Sequence, residues 1–161
     1  MRSLGLLVLC IIAISPNHAA EVVSVHDGDT ITVMDGRARI SVRFACSDAP
    51  EITQKPDGQE SKQYLQSMLP LGSNVRLSIK ETDRFDRTVA EVFKGNININ
   101  QSMVATGNAF SHWRYSRGCN MKEYSKLENT ARIWRIGVWA TPGGIVRPWN
   151  YKRPIKNKYD D

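Results

Sequence analysis

Five charged side chains between residues 29 and 87 have types and spacing that could do chemistry. Asp29 lies in DGDT (27–30), Arg43, Asp48 and Glu51 in VRFACSDAPE (42–51), and Arg87 closes DRFDR (83–87). Carboxylates are hard oxygen donors suited to Ca²⁺ or Mg²⁺, and neither Cys nor His clusters at the spacing zinc favours. Glu51 follows Asp48 by three residues across Pro50, so it can face the same cation while activating a water. A guanidinium fork binds two phosphate oxygens at once, which suits Arg43 and, from a second strand, Arg87. Together these groups form the inventory of a phosphodiester-cleaving site, where charge builds on phosphoryl oxygens and a water must be oriented.

Elements must bring those residues together. Val23 and Val25, then Ile31 and Val33, then Ile40, Val42 and Phe44 alternate around turns at 26–28 and at Asp35-Gly36, so they read as a meander with one apolar face. Pro50, Pro56 and Asp57-Gly58 mark a loop, and 59–69 has a helical pattern ended by Pro70 and Gly72. Val75, Leu77 and Ile79 form a fourth strand and 89–93 a fifth, before a turn at 94–96. Asn98 or Asn100 caps a short helix stopped at Gly107, and Tyr124, Leu127, Ala131 and Trp134 define a last helix ended by Gly137. The expected fold is α+β and mostly β: a five-stranded OB-type barrel with about three helices packed outside it. Trp134 and Trp139 are expected in the core.

Composition adds a leader and a partner class. Arg2, the apolar run 4–14 and the small residues Ala19 and Ala20 describe a signal peptide over 1–20. The expected product is exported to the periplasm or outside the cell. Arg2 is the single charged residue of that leader, so a formal charge of +6 becomes +5 on its removal, suiting an acidic polymer. In an oxidising compartment Cys46 and Cys119 are a candidate disulfide. Residues 141–161 read as an extended basic, aromatic tail. Trp113, Tyr115, Trp149 and Tyr151 interleave with Arg114, Arg117, Arg147, Lys152 and Arg153, a pattern suited to stacking on single strands.

The ordered set DGDT, R-x4-D-x-PE (43–51), D-R-F-x-R-T-x-A (83–90), ATGNAF (105–110) and GVW (137–139) resembles the staphylococcal nuclease (thermonuclease) family over about 21–140. The resemblance implies a monomeric OB-barrel enzyme that uses Ca²⁺ to hydrolyse DNA and RNA, breaking the 5′-oxygen–phosphorus bond and leaving 3′-phosphates. By matched position it implies Asp29, Asp48 and the backbone carbonyl of Ala49 as calcium ligands, and Glu51 as general base or water orienter. Arg43 and Arg87 would stabilise the transition state, while Arg84, Trp113 and Tyr115 would contact the terminal phosphate and base. Asp86 stands where the family has glycine, Phe85 where tyrosine is common and Ala49 where threonine is. The loop after Glu51 is shorter. The competing reading is a non-catalytic nucleic-acid-binding OB module, which should have lost some of Arg43, Asp48, Glu51 or Arg87, and a further one is an interaction domain holding calcium structurally, which leaves the arginines unexplained.

Overall fold

The computed structural model describes residues 19–152. The proposed leader therefore falls outside the described residues apart from Ala19 and Ala20, as does the tail beyond Lys152.

Five strands carry the fold: β1 (Ala20–Val25), β2 (Thr30–Asp35), β3 (Ala38–Phe44), β5 (Asn74–Thr82) and β6 (Thr88–Lys94). They pair antiparallel in the order β3-β2-β1-β5-β6, and a parallel pairing of β3 with β6 closes the sheet into a barrel. Short strands β4 (Ser47–Asp48) and β8 (Phe110–Ser111) pair outside it, and β7 (Ile97–Asn98) extends the edge beyond β6. Three helices, α1 (Asp57–Met68), α2 (Ile99–Ala105) and α3 (Met121–Trp134), pack around the barrel. A 3₁₀ turn (Gly137–Trp139) and the single-turn α4 (Pro148–Tyr151) follow. This is the α+β, mostly β, OB-type barrel with outer helices that the residue patterns predict.

Val22, Ile31, Val33, Val42, Phe44, Val75, Val89, Val92, Leu65, Met103 and Tyr124 fill the core. Two sites depart from simple alternation because the strands are bulged. A shift between Val22 and Ser24 sends Val22 and Val25 inward and leaves Val23 half-buried. A second shift between Ile79 and Glu81 accompanies an exposed Ile79.

Asn98, not Asn100, caps α2, its side chain accepting from the Gln101 N–H. Asn100 is fully buried: its Oδ1 accepts from Val92 N, and its Nδ2 donates to the carbonyls of Ala45 and Ala90. It thus joins β6 to the chain just beyond β3. Helix α3 stops one turn earlier than its glycine signal suggests, because Arg135 takes the left-handed conformation (φ 52°). Trp134 is 74% exposed, against the core position its spacing implies, while Trp139 is buried. Residues 142–152 fold back on the body: Ile145 and Trp149 pack against Phe110 and Trp139, and Ile145 N donates to Val138 O.

Candidate active site

The site forms where the β1–β2 turn, the end of β3 and the β4 segment converge. Gly28 sits in that turn because nothing larger fits: a Cβ there would lie 1.9 Å from Ser61 Oγ and 2.7 Å from the Ala49 Cβ. Close approach lets Ala49 N donate to Asp29 Oδ2 at 2.6 Å, while Thr30 Oγ1 donates to Asp29 Oδ1. The Asp29 carboxylate is therefore fixed by backbone as well as by charge.

Arg43 lies between the acids. Its Nη1 is 2.8 Å from Asp29 Oδ2, its Nη2 bonds Asp48 Oδ1, and Nη1 also donates to the carbonyl of Phe44. All three side chains are buried, so the guanidinium is the internal counter-ion of two carboxylates. Burial works against the Arg43 charge, but attraction from Asp29, Asp48 and Asp27 leaves its pKa above the usual arginine value.

One guanidinium does not balance the acids around it. Burial, then repulsion from Asp29, push Asp48 up to about 7 against the pull of Arg43. The same two causes push Asp27 up to about 7, and its Oδ1 accepts from Asp29 N. A cluster of oxygen donors short of positive charge is what a hard divalent cation fits, so Asp29, Asp48 and the carbonyl of Ala49 are chemically able to hold calcium. A second group with close ligand atoms, Cys46, Glu91 and Cys119, does not fit one. Its two sulfurs are bonded to each other as the expected disulfide, and Glu91 is engaged by Lys80, Tyr124 and Asn98.

Glu51 is placed by helix α1. A Cβ on Gly58 would lie 1.9 Å from the Glu51 carbonyl oxygen, so the start of α1 packs directly on the Glu51 backbone. Glu51 N donates to Gln54 Oε1, and its carboxylate reaches out to Lys152 Nζ at 2.6 Å. Arg87 is held by Asp83, whose Oδ2 accepts from Nε at 2.9 Å and lies 2.7 Å from Nη2. Asp83 also accepts from the backbone of Phe85 and Arg87; these bonds outweigh its burial and lower its pKa. The parallel register Val42↔Thr88 sets Arg87 at the start of β6, beside the strand that carries Arg43. Asp86, in the glycine position of the turn, adopts φ 58°.

Arg84 is exposed with its guanidinium 4.7 Å from the Phe85 ring centre, and Trp113 is 74% exposed. Tyr115 is half-buried against the barrel, and its carbonyl accepts from Cys46 N. Four contributors escaped the reading of the sequence. Asp27 and Asp83 were visible within the quoted motifs but not singled out. Lys152 was visible as one basic residue of the tail. His112 is the fourth. Its Nδ1 accepts from Arg114 N, and Nε2 is 4.0 Å from Asp48 Oδ2. Burial and the positive field of Arg43 and Arg114 depress it to about 4, so it stands neutral beside Asp48.

Comparison with known proteins agrees with this arrangement. The family described as staphylococcal nuclease homologue matches residues 41–141. The chain is similar to a micrococcal nuclease of Shigella flexneri, 33% identical over 168 residues that cover 98% of this chain and 94% of that protein. It is 37% identical to an uncharacterized endonuclease of Haemophilus influenzae over 145 residues, covering 89% of this chain and 79% of the other. Protein ParB of Escherichia coli is 32% identical over 173 residues, covering 100% and 95%. With the motifs in order, the barrel closed around them and relatives aligned over nearly their whole length, the chain belongs to the staphylococcal nuclease family.

Proposed function

We infer that the protein is a calcium-dependent, sugar-nonspecific nuclease that hydrolyses DNA and RNA at the 5′-oxygen–phosphorus bond and leaves 3′-phosphates. Nuclease relatives support the hydrolase class. The observation that carries the finer reading is the buried Asp29–Arg43–Asp48 cluster, in which two acids and a fork occupy one space with Glu51 three residues away. A divalent cation held by Asp29, Asp48 and the Ala49 carbonyl would supply positive charge against the developing charge of the phosphoryl oxygens.

The remaining work falls to the chain's own groups. Glu51 takes the proton of the attacking water, which must approach phosphorus opposite the 5′-oxygen. Arg43 and Arg87 meet the charge that grows on the equatorial oxygens, each through a planar fork. Asp83 keeps the Arg87 fork pre-aimed, so less side-chain freedom is lost when the phosphate arrives. The exposed Trp113 and Arg84 offer a stacking face and a charge to the strand on either side, with Tyr115 nearer the barrel. A non-catalytic module would not need Arg43, Asp48, Glu51 and Arg87 together, and all four are present.

The location we propose is the periplasm or the exterior. The apolar leader and the Cys46–Cys119 bridge both suit an oxidising compartment, and no helix among the described residues is long and apolar enough to cross a membrane. Incubating single-stranded DNA and RNA with the protein in Ca²⁺ or in chelator tests the proposal. The expected result is cleavage of both polymers in Ca²⁺ alone, with 3′-phosphate ends. Equal cleavage in chelator, or 5′-phosphate ends, would reject it.

A further inference from the structure

Residues 142–152 lie past the end of the family match at 141 and end on the candidate site. Their seat is specific. The Trp149 ring lies 4.4 Å from the His112 ring and meets Phe110 edge-on at 6.0 Å. Gln54 Nε2 donates to the Val146 carbonyl at 2.9 Å, and the Tyr151 hydroxyl donates to the Thr53 carbonyl at 3.4 Å. Both contacts join this segment to the loop that carries Glu51. The single turn of α4 then sets Lys152 Nζ 2.6 Å from Glu51 Oε1.

Stability does not explain that ion pair. The two side chains are 53% and 29% exposed, and pairs this open contribute about 0–1 kcal/mol. The three cations named here are also held very differently. Arg43 is locked between two buried carboxylates and Arg87 is bonded twice by Asp83, whereas Lys152 rests on one half-buried carboxylate. An ammonium on a flexible four-carbon stem exchanges one oxygen anion for another with little rearrangement. A phosphodiester entering beside Glu51 offers such an oxygen, and Glu51 must be free of a cation to accept a proton from water.

We propose that Lys152 is a substrate-binding residue of this nuclease: it leaves Glu51 and takes a phosphate of the nucleic acid strand as the strand enters. The Trp149–His112 stack is the seat that delivers it. The inference rests on the nuclease reading and adds a phosphate contact from outside the family-matched region.

The test is equilibrium binding of a fluorescent single-stranded oligonucleotide in chelator over a range of salt, with cleavage in Ca²⁺ measured in parallel. Wild type is compared with K152M, K152Q, K152R and W149A. One lost phosphate contact lowers the slope of log Kd against log salt by about 0.7 for a single strand. K152M and K152Q should lose that increment and raise KM more than they lower kcat; K152R should retain the slope. W149A, with Lys152 present but unseated, should behave as K152M does. Folded K152M and K152Q with the wild-type slope and KM overturn the proposal, as does a K152M enzyme that cleaves faster than wild type. If wild type cleaves and K152M equals it, only the role of Lys152 falls; if wild type neither binds nor cleaves, the nuclease reading falls with it.

Discussion

Arg43 is asked to do two things at once, and its surroundings say how. It is the counter-ion of two buried acids, and in the proposed mechanism it is also the fork that meets the reacting phosphate. Removing it leaves Asp29 and Asp48 uncompensated, so Arg43→Met in chelator should lose about 3–5 kcal/mol of stability. Denaturant unfolding of the metal-free protein measures this; an unchanged midpoint would mean that the buried cluster is not formed in solution. Arg87 makes a contrast, since its partner Asp83 can be changed without touching the fork. Asp83→Asn should reduce kcat while Arg87 itself remains, because the aim of the fork is lost rather than its charge. If Asp83→Asn cleaves as fast as wild type, pre-orientation of Arg87 contributes nothing. These roles were only half legible in the sequence. The motifs named Asp29, Arg43, Asp48, Glu51 and Arg87, but the carboxylate that aims Arg87 lay unremarked four residues before it. Asp27 bonds the Asp29 amide two residues on, as an Asp in a turn does, but its burial among the other acids comes from the fold and not from spacing.

At the scale of elements, one buried amide on α2 bonds the barrel directly. Asn100 is fully buried and satisfies one backbone N–H and two carbonyls. Asn100→Ala strands the Val92 N–H, which costs about 1–3 kcal/mol when buried and unpaired, while the carbonyls of Ala90 and Ala45 keep their bonds from Ala45 N and Ser47 Oγ. The variant should therefore unfold at markedly lower denaturant, and a midpoint close to wild type would show that relaxation or water repairs the gap. In the sequence Asn100 looked like a helix cap, since Asn at either 98 or 100 suits one; only the β6 register shows which residue caps and which bridges. The same limit explains the strands. Alternation found the members of the meander, but it carries no sign of a bulge, so Val22 rather than Val23 enters the core. Trp134 falls at core spacing on α3, yet it is the last helical residue before the left-handed Arg135 and its ring is 74% exposed.

Over the whole molecule, long-range ties join the barrel to its additions. The disulfide links Cys46, just past β3, to Cys119, just before α3, across 73 residues. Its removal by Cys119→Ala, measured against oxidised wild type, should cost about 2–4 kcal/mol; an unaltered midpoint would contradict that. Near the bridge, Glu91 joins Lys80, Tyr124 and Asn98, so it ties β5, β6, β7 and α3 together. Bonds from Lys80, Tyr124 and Asn98 outweigh its burial and hold it below its ordinary value of 4.5. A depressed carboxylate stabilises the fold above its unfolded pKa and ceases to as pH falls through the folded one. The stability gap between wild type and Glu91→Gln should therefore be full at pH 6 and close on acidification below about 4.5. A gap that is flat or widens toward acid would reverse the sign. The return of the last described segment to Glu51 was the least legible feature, because composition describes a tail and cannot say where it docks; the contact between Gln54 and Val146 spans 92 residues.

These ties converge on one claim, that Glu51 accepts a proton from the attacking water beside the Asp29–Arg43–Asp48 cluster. The direct measurement is single-turnover cleavage of a single-stranded oligonucleotide in Ca²⁺ by wild type and by Glu51→Gln, after both are shown to be folded and to bind the strand. Gln keeps the shape and the hydrogen-bonding reach of the side chain but cannot take the proton. The predicted result is a loss of about 10²–10⁴-fold in the cleavage step with binding retained. Cleavage by the Gln variant at the wild-type rate would contradict it.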